Sequence, residues 1–299
     1  MFGFIAVNKP SGISSRKAID SVKKLARPNK VGHTGTLDPL AAGVLVVAIG
    51  PATRLARFVQ SMPKLYTADF QFGVTSDSDD NETELRVIDG AEPFSELQLG
   101  VAVENFKGDI QQTPPAYSAV KIEGKRAYEL ARQGTSFEID SKIVTIHSID
   151  IISFAYPNCR LKVKCGSGTY IRSLGRDLGV ELKSGAVMTG LVRDAVGPFT
   201  IADAVEIEDL NEESVHERLV SPLTLFENEA TVSMNEKQIS SLAVGGLFSA
   251  PELGLADDVG TFVAVDQAKR LLAVFERHSS GKFKPAINFV HYYDQFQSS

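Results

Sequence analysis

The chain has 299 residues, 43% of them hydrophobic and 23% charged, with a net charge of −6. That length can bury a core without disulfide or metal staples, and the composition excludes a disordered or collagen-like chain. An acidic total argues against a surface that binds nucleic acid everywhere. The stretch up to Gln60 nevertheless includes Lys9, Arg16, Lys23, Lys24, Arg27, Lys30, Arg54 and Arg57 against only Asp20 and Asp38, and local field steers a polyanion more than net charge does.

In chain order, "FGFIAVNKPSGIS" reads as a strand and then a loop, with Ser14 or Ser15 placed to cap a helix. Ile19, Val22 and Leu25 recur at helical spacing in "KAIDSVKKLAR", and Pro28 ends that helix. "VGHTGTLDPLAA" follows as a glycine-rich loop, and "GVLVVAIG" is a buried strand. "ATRLARFVQSM" predicts a short helix with Leu55, Phe58 and Val59 on one face. "KLYTADFQFG" alternates, setting Tyr66, Ala68, Phe70 and Phe72 on one side of a strand. The acidic run "SDSDDNETE" reads as a solvated loop. "SELQLGVAVENFKG" predicts a helix with a Ser95–Gln98 capping box. A proline-stiffened loop, a hairpin and a short helix follow up to Gly134. Strands are expected over 142–155 and 159–165, a helix off the glycine turn in "GTYIRSLGRDLG", and a strand in "LVRDAVGPFTI".

Strands and helices come in mixed runs rather than strict βαβ units, which predicts an α+β fold around a mixed, largely antiparallel sheet. The pattern changes near Glu227, so we expect two domains, 1–227 and a small β-rich one over 228–299.

The N-terminus lacks the basic start and apolar region of a signal peptide. No apolar run approaches the roughly 20 residues that span a bilayer. The expectation is a cytoplasmic protein without membrane contact, with Cys159 and Cys165 as reduced thiols. None of the five histidines pairs with another His or a Cys at ligand spacing, so no metal site is expected. "GHTGTLDP" lacks the Gly-Lys-Ser/Thr ending of a phosphate loop. "GSGTYIR" opens a helix and has the form of either a phosphate-binding helix start or an ordinary turn.

Asp38 is the residue in question. Asp-Pro is a common turn pair, but a loop pinned between glycines and a buried strand also holds a nucleophile still. Such a carboxylate needs a cation to stay ionised, and Arg172 is the candidate. Tyr66 and Tyr170 are candidate rings for stacking on an extruded base.

"VGHTGTLDPLAAGVL" resembles the catalytic motif of the bacterial TruB-type tRNA pseudouridine-55 synthases. Further segments match in order: "NKPSG", "KLYTADFQFG", "PPAYSAVKIEGKRAYELARQG", "GTYIRSLGRDLG" and "GPF". The resemblance implies a pseudouridine synthase fold with a central cleft. It implies an isomerase that needs no cofactor and turns uridine 55 of the tRNA T-loop into pseudouridine. Asp38 matches the catalytic aspartate, which acts through a covalent step. Tyr66 matches the ring that stacks on the flipped uracil, and Arg172 the arginine that pairs with the aspartate. Tyr170 and Leu191 match residues of the base pocket, His33 a histidine that supports the opened T-loop, and Lys9 and Pro10 a motif that shapes the pocket. By position, the C-terminal part would be a PUA-like domain gripping the acceptor stem of tRNA, on a monomeric enzyme. Two positions depart from the family: Ala42 stands where Thr is frequent, and Asp194 puts an acid where relatives are more basic.

Two other readings stay open on the residues alone. One is an RNA-binding or RNA-folding protein that does not need Asp38. The other is a carboxylate-nucleophile glycosidase, which would normally require a second catalytic carboxylate.

Overall fold

A computed structural model of the chain describes residues 1–122 and 124–294. Ten strands form one sheet: β1 (Gly3–Lys9), β2 (Val31–His33), β3 (Ala42–Ile49), β4 (Lys64–Phe72), β5 (Gly108–Gln112), β6 (Lys142–Ala155), β7 (Asn158–Cys165), β8 (Ala186–Val196), β9 (Phe199–Thr200) and β10 (Val205–Glu206). Their order is β10-β1-β3-β8-β4-β7-β6-β5, with β2 on β3 and β9 on β8. Only β1–β10 and β3–β8 are parallel, so the sheet is mixed and largely antiparallel, as the segment pattern predicts.

The β3–β8 contact organises the molecule. It lasts two residue pairs, Val192–Ala42 and Arg193–Gly43. Beyond them the two strands are no longer paired, and Leu191 of β8 and the loop before β3 line a cleft. Gly43 is required there: its φ is +98°, and a Cβ would collide with the backbone of Arg193.

Six helices of the first 181 residues matter for the cleft: α1 (Ser15–Ala18), α2 (Asp20–Leu25), α3 (Ala56–Ser61), α4 (Glu96–Glu104), α5 (Ala127–Arg132) and α6 (Ile171–Glu181). Ser14 caps α1 by accepting from the Lys17 N–H. The single helix expected over "KAIDSVKKLAR" is two pieces, because Ile19 leaves helical geometry (φ −90°, ψ 0°) between them. "ATRLARFVQSM" is a 3₁₀ turn over Gly50–Leu55 followed by α3. The predicted capping box of α4 is present, with the Ser95 and Gln98 side chains each bonding the other's backbone N–H.

α6 buries Ile171, Leu174 and Leu178, the stripe expected of an amphipathic helix. They join Tyr66, Phe70, Phe72, Leu99, Leu161 and Val163 in a core on one face of β4 and β7. Each fully buried aliphatic side chain contributes about 1.5–3 kcal/mol. Gly175 lets the helix ride directly on the ring of Phe70, where any Cβ would clash. That close approach sets the height of Arg172, one turn earlier.

A second sheet of four strands, β11 (Ala230–Ser233), β12 (Thr261–Val265), β13 (Leu271–Arg277) and β14 (Phe283–Asn288), follows in sequence order. It packs on the first through Val263, Val274, Ile287 and Phe289 against Phe4, Val44 and Val46. The expected second domain, 228–299, covers this sheet; its last five residues, 295–299, lie outside the described residues.

Candidate active site

Residues 38–41 form a tight turn closed by the Ala41 N–H donating to the Asp38 carbonyl (3.1 Å), with Pro39 fixing φ at the second position. The "NKPSGIS" segment brackets this turn from one side. Ser15 Oγ accepts from the Leu37 N–H and donates to the Leu37 carbonyl, both at 2.8 Å. The Gly12 N–H donates to the Pro39 carbonyl at 2.7 Å, and Ser11 Oγ donates to the Leu40 carbonyl at 2.7 Å. Lys9 is wholly buried, and its Nζ donates to the carbonyls of Pro10 (2.9 Å), Ile13 (2.7 Å) and Pro39 (3.4 Å). Burial brings its ammonium down to about 8, against the opposing pull of the Asp38 charge and with the help of Arg193.

Arg193 holds the other side. It is 4% exposed, and its guanidinium donates to the carbonyls of Val44 (2.8 Å), Gly35 (3.2 Å) and Thr36 (3.4 Å). The loop that carries Asp38 is thus tied at Gly35, Thr36, Leu37, Pro39 and Leu40.

The Asp38 carboxylate projects from this frame, 41% exposed, and pairs with Arg172 (Nη2–Oδ2, 2.9 Å). Arg172 is 7% exposed and is itself fixed. Its Nη1 faces Asp80 Oδ2 at 3.3 Å and donates to the Ser78 carbonyl at 3.0 Å, while its Nη2 donates to the Tyr117 carbonyl at 3.0 Å. Asp80 is 1% exposed and is oriented by Ser78 Oγ (2.5 Å) and the Glu82 N–H (3.0 Å) on its other oxygen. The buried guanidinium is held between two carboxylates, and the outer one, Asp38, faces open space.

That space is a cavity of about 520 Å³, within the range of small-ligand sites. Asp38, Tyr66, Tyr170, Arg172 and Leu191 all line it. Tyr66 stands on β4 opposite Val163 and Arg193, and burial pushes its phenol above the ordinary value. Tyr170 precedes α6, with its backbone N–H donating to Gln112 Oε1 at 2.7 Å. Burial raises its phenol as well. Tyr117, Arg126, Tyr128 and Arg132, from the segment between β5 and β6, form another wall of the cavity.

Lys9 and Pro10 lie behind the turn. His33 does not line the cavity. It sits on β2 opposite Val47, its Nδ1 buried without a partner, and burial together with the charges of Arg193 and Lys23 lowers its pKa.

One expectation is corrected. The acidic run is not a solvated loop at its centre, because Ser78 and Asp80 are buried. Arg172 and Arg176, one turn apart on α6, draw it inward, with Arg176 Nη1 reaching Asp79 Oδ2 at 2.8 Å. The pair of arginines at i, i+4 was the available signal. Asp194 does not face the cleft. It accepts from Thr67 Oγ1 at 2.7 Å, and Thr67 points away from the face that carries Tyr66 because neighbours on a strand alternate. Arg193 and Asp80 are the site residues that sequence reasoning missed.

Known proteins share this sequence pattern and fold. The family described as "TruB family pseudouridylate synthase (N terminal domain)" matches residues 23–171. A "tRNA pseudouridine synthase B" of Clostridium acetobutylicum is 39% identical over 83% of this chain and 85% of its own. Another, of Dehalococcoides mccartyi, is 35% identical over 97% of each chain. Among solved structures, one titled "Crystal Structure of a Cbf5-Nop10-Gar1 Complex" superposes with a TM-score of 0.71 at 24% identity, covering 92% of this chain and 78% of that one, a likeness of fold. The chain belongs to the TruB family of pseudouridylate synthases and is an isomerase. Among the described residues, no helix is long and apolar enough to cross a membrane.

Proposed function

We propose that this protein isomerises uridine 55 in the T-loop of tRNA to pseudouridine, with Asp38 as the reacting group. The observation that carries the reading is the Asp38 carboxylate, presented on a turn tied from two sides and paired with buried Arg172 at the edge of a cavity walled by Tyr66, Tyr170 and Leu191.

A base stacked in a folded RNA loop must be swung out to reach such a site, at a cost of a few kcal/mol. The Tyr66 ring offers a flat apolar face to it, and Leu191 packs beside it. Asp38, held by its contact with Arg172, supplies the covalent step. The bond between uracil N1 and the sugar breaks, the base turns, and C5 takes the place of N1. The C5 proton is then lost to solvent or a nearby acceptor while N1 gains one, so substrate and product are isomers. No oxidant, nucleotide or metal enters that balance. The buried Tyr66 phenol stays neutral at physiological pH, as a stacking wall requires.

In this reading, residues 1–227 form the catalytic domain. Residues 228–299 form a PUA-like RNA-binding domain that reaches toward the acceptor stem, and His33 supports the opened T-loop. The enzyme works as a cytoplasmic monomer. The test is to incubate the protein with an unmodified tRNA transcript and map pseudouridine by position. Formation at 55, abolished when that uridine is replaced by cytidine, supports the reading. Tight tRNA binding with no isomerisation would leave an RNA-binding protein and overturn it.

A further inference from the structure

A second cavity, of about 500 Å³, lies on the other side of Tyr66. Thr36, Tyr66 and Thr169 belong to both cavities, so they share one wall. The chemistry differs sharply between them. The first mixes carboxylates and cations, whereas the second is lined by Arg57, Lys64 and Arg193 and, among the described residues, by no acidic side chain.

These cations are poorly compensated. Arg193 is nearly buried, and its backbone acceptors are neutral carbonyls. Lys64 Nζ donates to the carbonyl of Met62 at 2.6 Å and to that of Gln60. Neither pairs with a carboxylate among the described residues. Arg57, at the mouth, is the exception, with Glu276 of β13 at 2.6 Å. Burial and the neighbouring Arg193 charge bring Lys64 down to about 8. Two cations held side by side in a partly dry cavity cost free energy that an anion would offset.

Arg193 has a structural duty, since it ties Gly35 and Thr36. Lys64 has none of that kind: its acceptors lie within four residues of it, at the end of α3. Its ammonium carries three protons and these two acceptors take two, so one is left to donate.

We propose that this second cavity binds a backbone phosphate flanking the target nucleotide, with Lys64 as the principal contact. The proposal rests on the isomerase reading above. A base seated against one face of Tyr66 leaves its adjoining phosphates beside the shared wall. Phosphate contacts of this kind fix register without reading sequence. The site would thus position the RNA strand while Asp38 acts on the base.

The test uses the full-length protein with the Lys64→Gln and Lys64→Arg variants, each checked for an unchanged thermal midpoint. Affinity for a tRNA transcript is measured from low to high salt, together with KM and kcat. Lys64→Gln is expected to reduce the slope of log K against log salt by about one. It should raise KM by about tenfold, with a much smaller change in kcat. Lys64→Arg should keep the slope. RNAs carrying one neutral methylphosphonate, 5′ or 3′ of the target uridine, then locate the phosphate. One of them should bind wild type more weakly and cause no further loss in Lys64→Gln. An unchanged slope, or losses that multiply independently, would overturn the phosphate site. Wild type that binds RNA with the expected slope change but never isomerises it would sink the isomerase reading alone.

Discussion

The floor and the roof of the first cavity are built in opposite ways. The floor, residues 35–41, is tied to two distant segments, "NKPSGIS" and β8. The roof, residues 113–134, bonds mainly to itself. The Ala127 N–H donates to the Val120 carbonyl at 2.8 Å and the Tyr128 N–H to that of Ser118 at 3.0 Å, and a two-stranded hairpin (Lys121–Ile122 with Lys125–Arg126) runs between. Glu123 lies outside the described residues. Its ties to the body include those at Thr113, whose carbonyl accepts from Ser173 Oγ and Arg176 Nη2, and at Tyr117, which bonds Arg172. The lesson is a division of labour. Chemistry demands that Asp38 be held still, whereas a flipped base needs a cover that yields while the RNA enters.

Changes in the floor should therefore act on rate. Asp38→Asn removes the reacting charge, and single-turnover isomerisation should fall by at least about a thousandfold while tRNA affinity moves little. Asp80→Asn leaves buried Arg172 half-compensated. It should cost about 3–5 kcal/mol in a denaturant titration and about a hundredfold in rate, because Arg172 is then free to shift from Asp38. Ser15→Ala breaks both bonds to Leu37, at a cost of about 1–3 kcal/mol and about a tenfold loss in rate. A roof change should act on affinity instead. Arg132→Gln removes a cation that lines the cavity and sits 5.8 Å from the Tyr128 ring, and it should weaken tRNA binding severalfold, more so at low salt.

The smallest effect concerns Lys9, behind the floor. Its folded pKa, about 8, is below the ordinary 10.5. Between those values the unfolded chain binds the extra proton, so this group favours folding increasingly as pH rises from about 8 to 10.5 and loses that contribution as pH falls back. The stability gap between wild type and Lys9→Met should shift in favour of wild type across that window, read by denaturant titration at several pH values. A flat difference would mean that Lys9 is not desolvated and that the bracket behind Pro39 is looser than drawn.

How much of this was legible in the sequence follows from the kind of signal involved. Strand alternation in "KLYTADFQFG" and the glycine turn that opens α6 are local, and both elements stand as read. Asp38, Tyr66, Tyr170, Arg172 and Leu191 do share one cavity, but only the family resemblance could bring together residues spread from 38 to 191. Asp80 escaped because acidic runs are usually solvated, and its burial depends on two arginines almost a hundred residues later in the chain. Arg193 escaped because its task, holding the Asp38 loop through three carbonyls, is visible only where β8 meets β3. The partner of Asp194, Thr67, was equally out of reach, because it lies on another strand 127 residues away.

The central claim is that rate resides in the floor and affinity in the roof. The most direct measurement is the single-turnover rate of pseudouridine formation at saturating tRNA for Asp38→Asn and Arg132→Gln beside wild type. Asp38→Asn should bind tRNA but form almost no pseudouridine, while Arg132→Gln, once saturated, should proceed within about twofold of wild type. Measurable turnover by Asp38→Asn, or a large loss of saturated rate in Arg132→Gln, would contradict the claim.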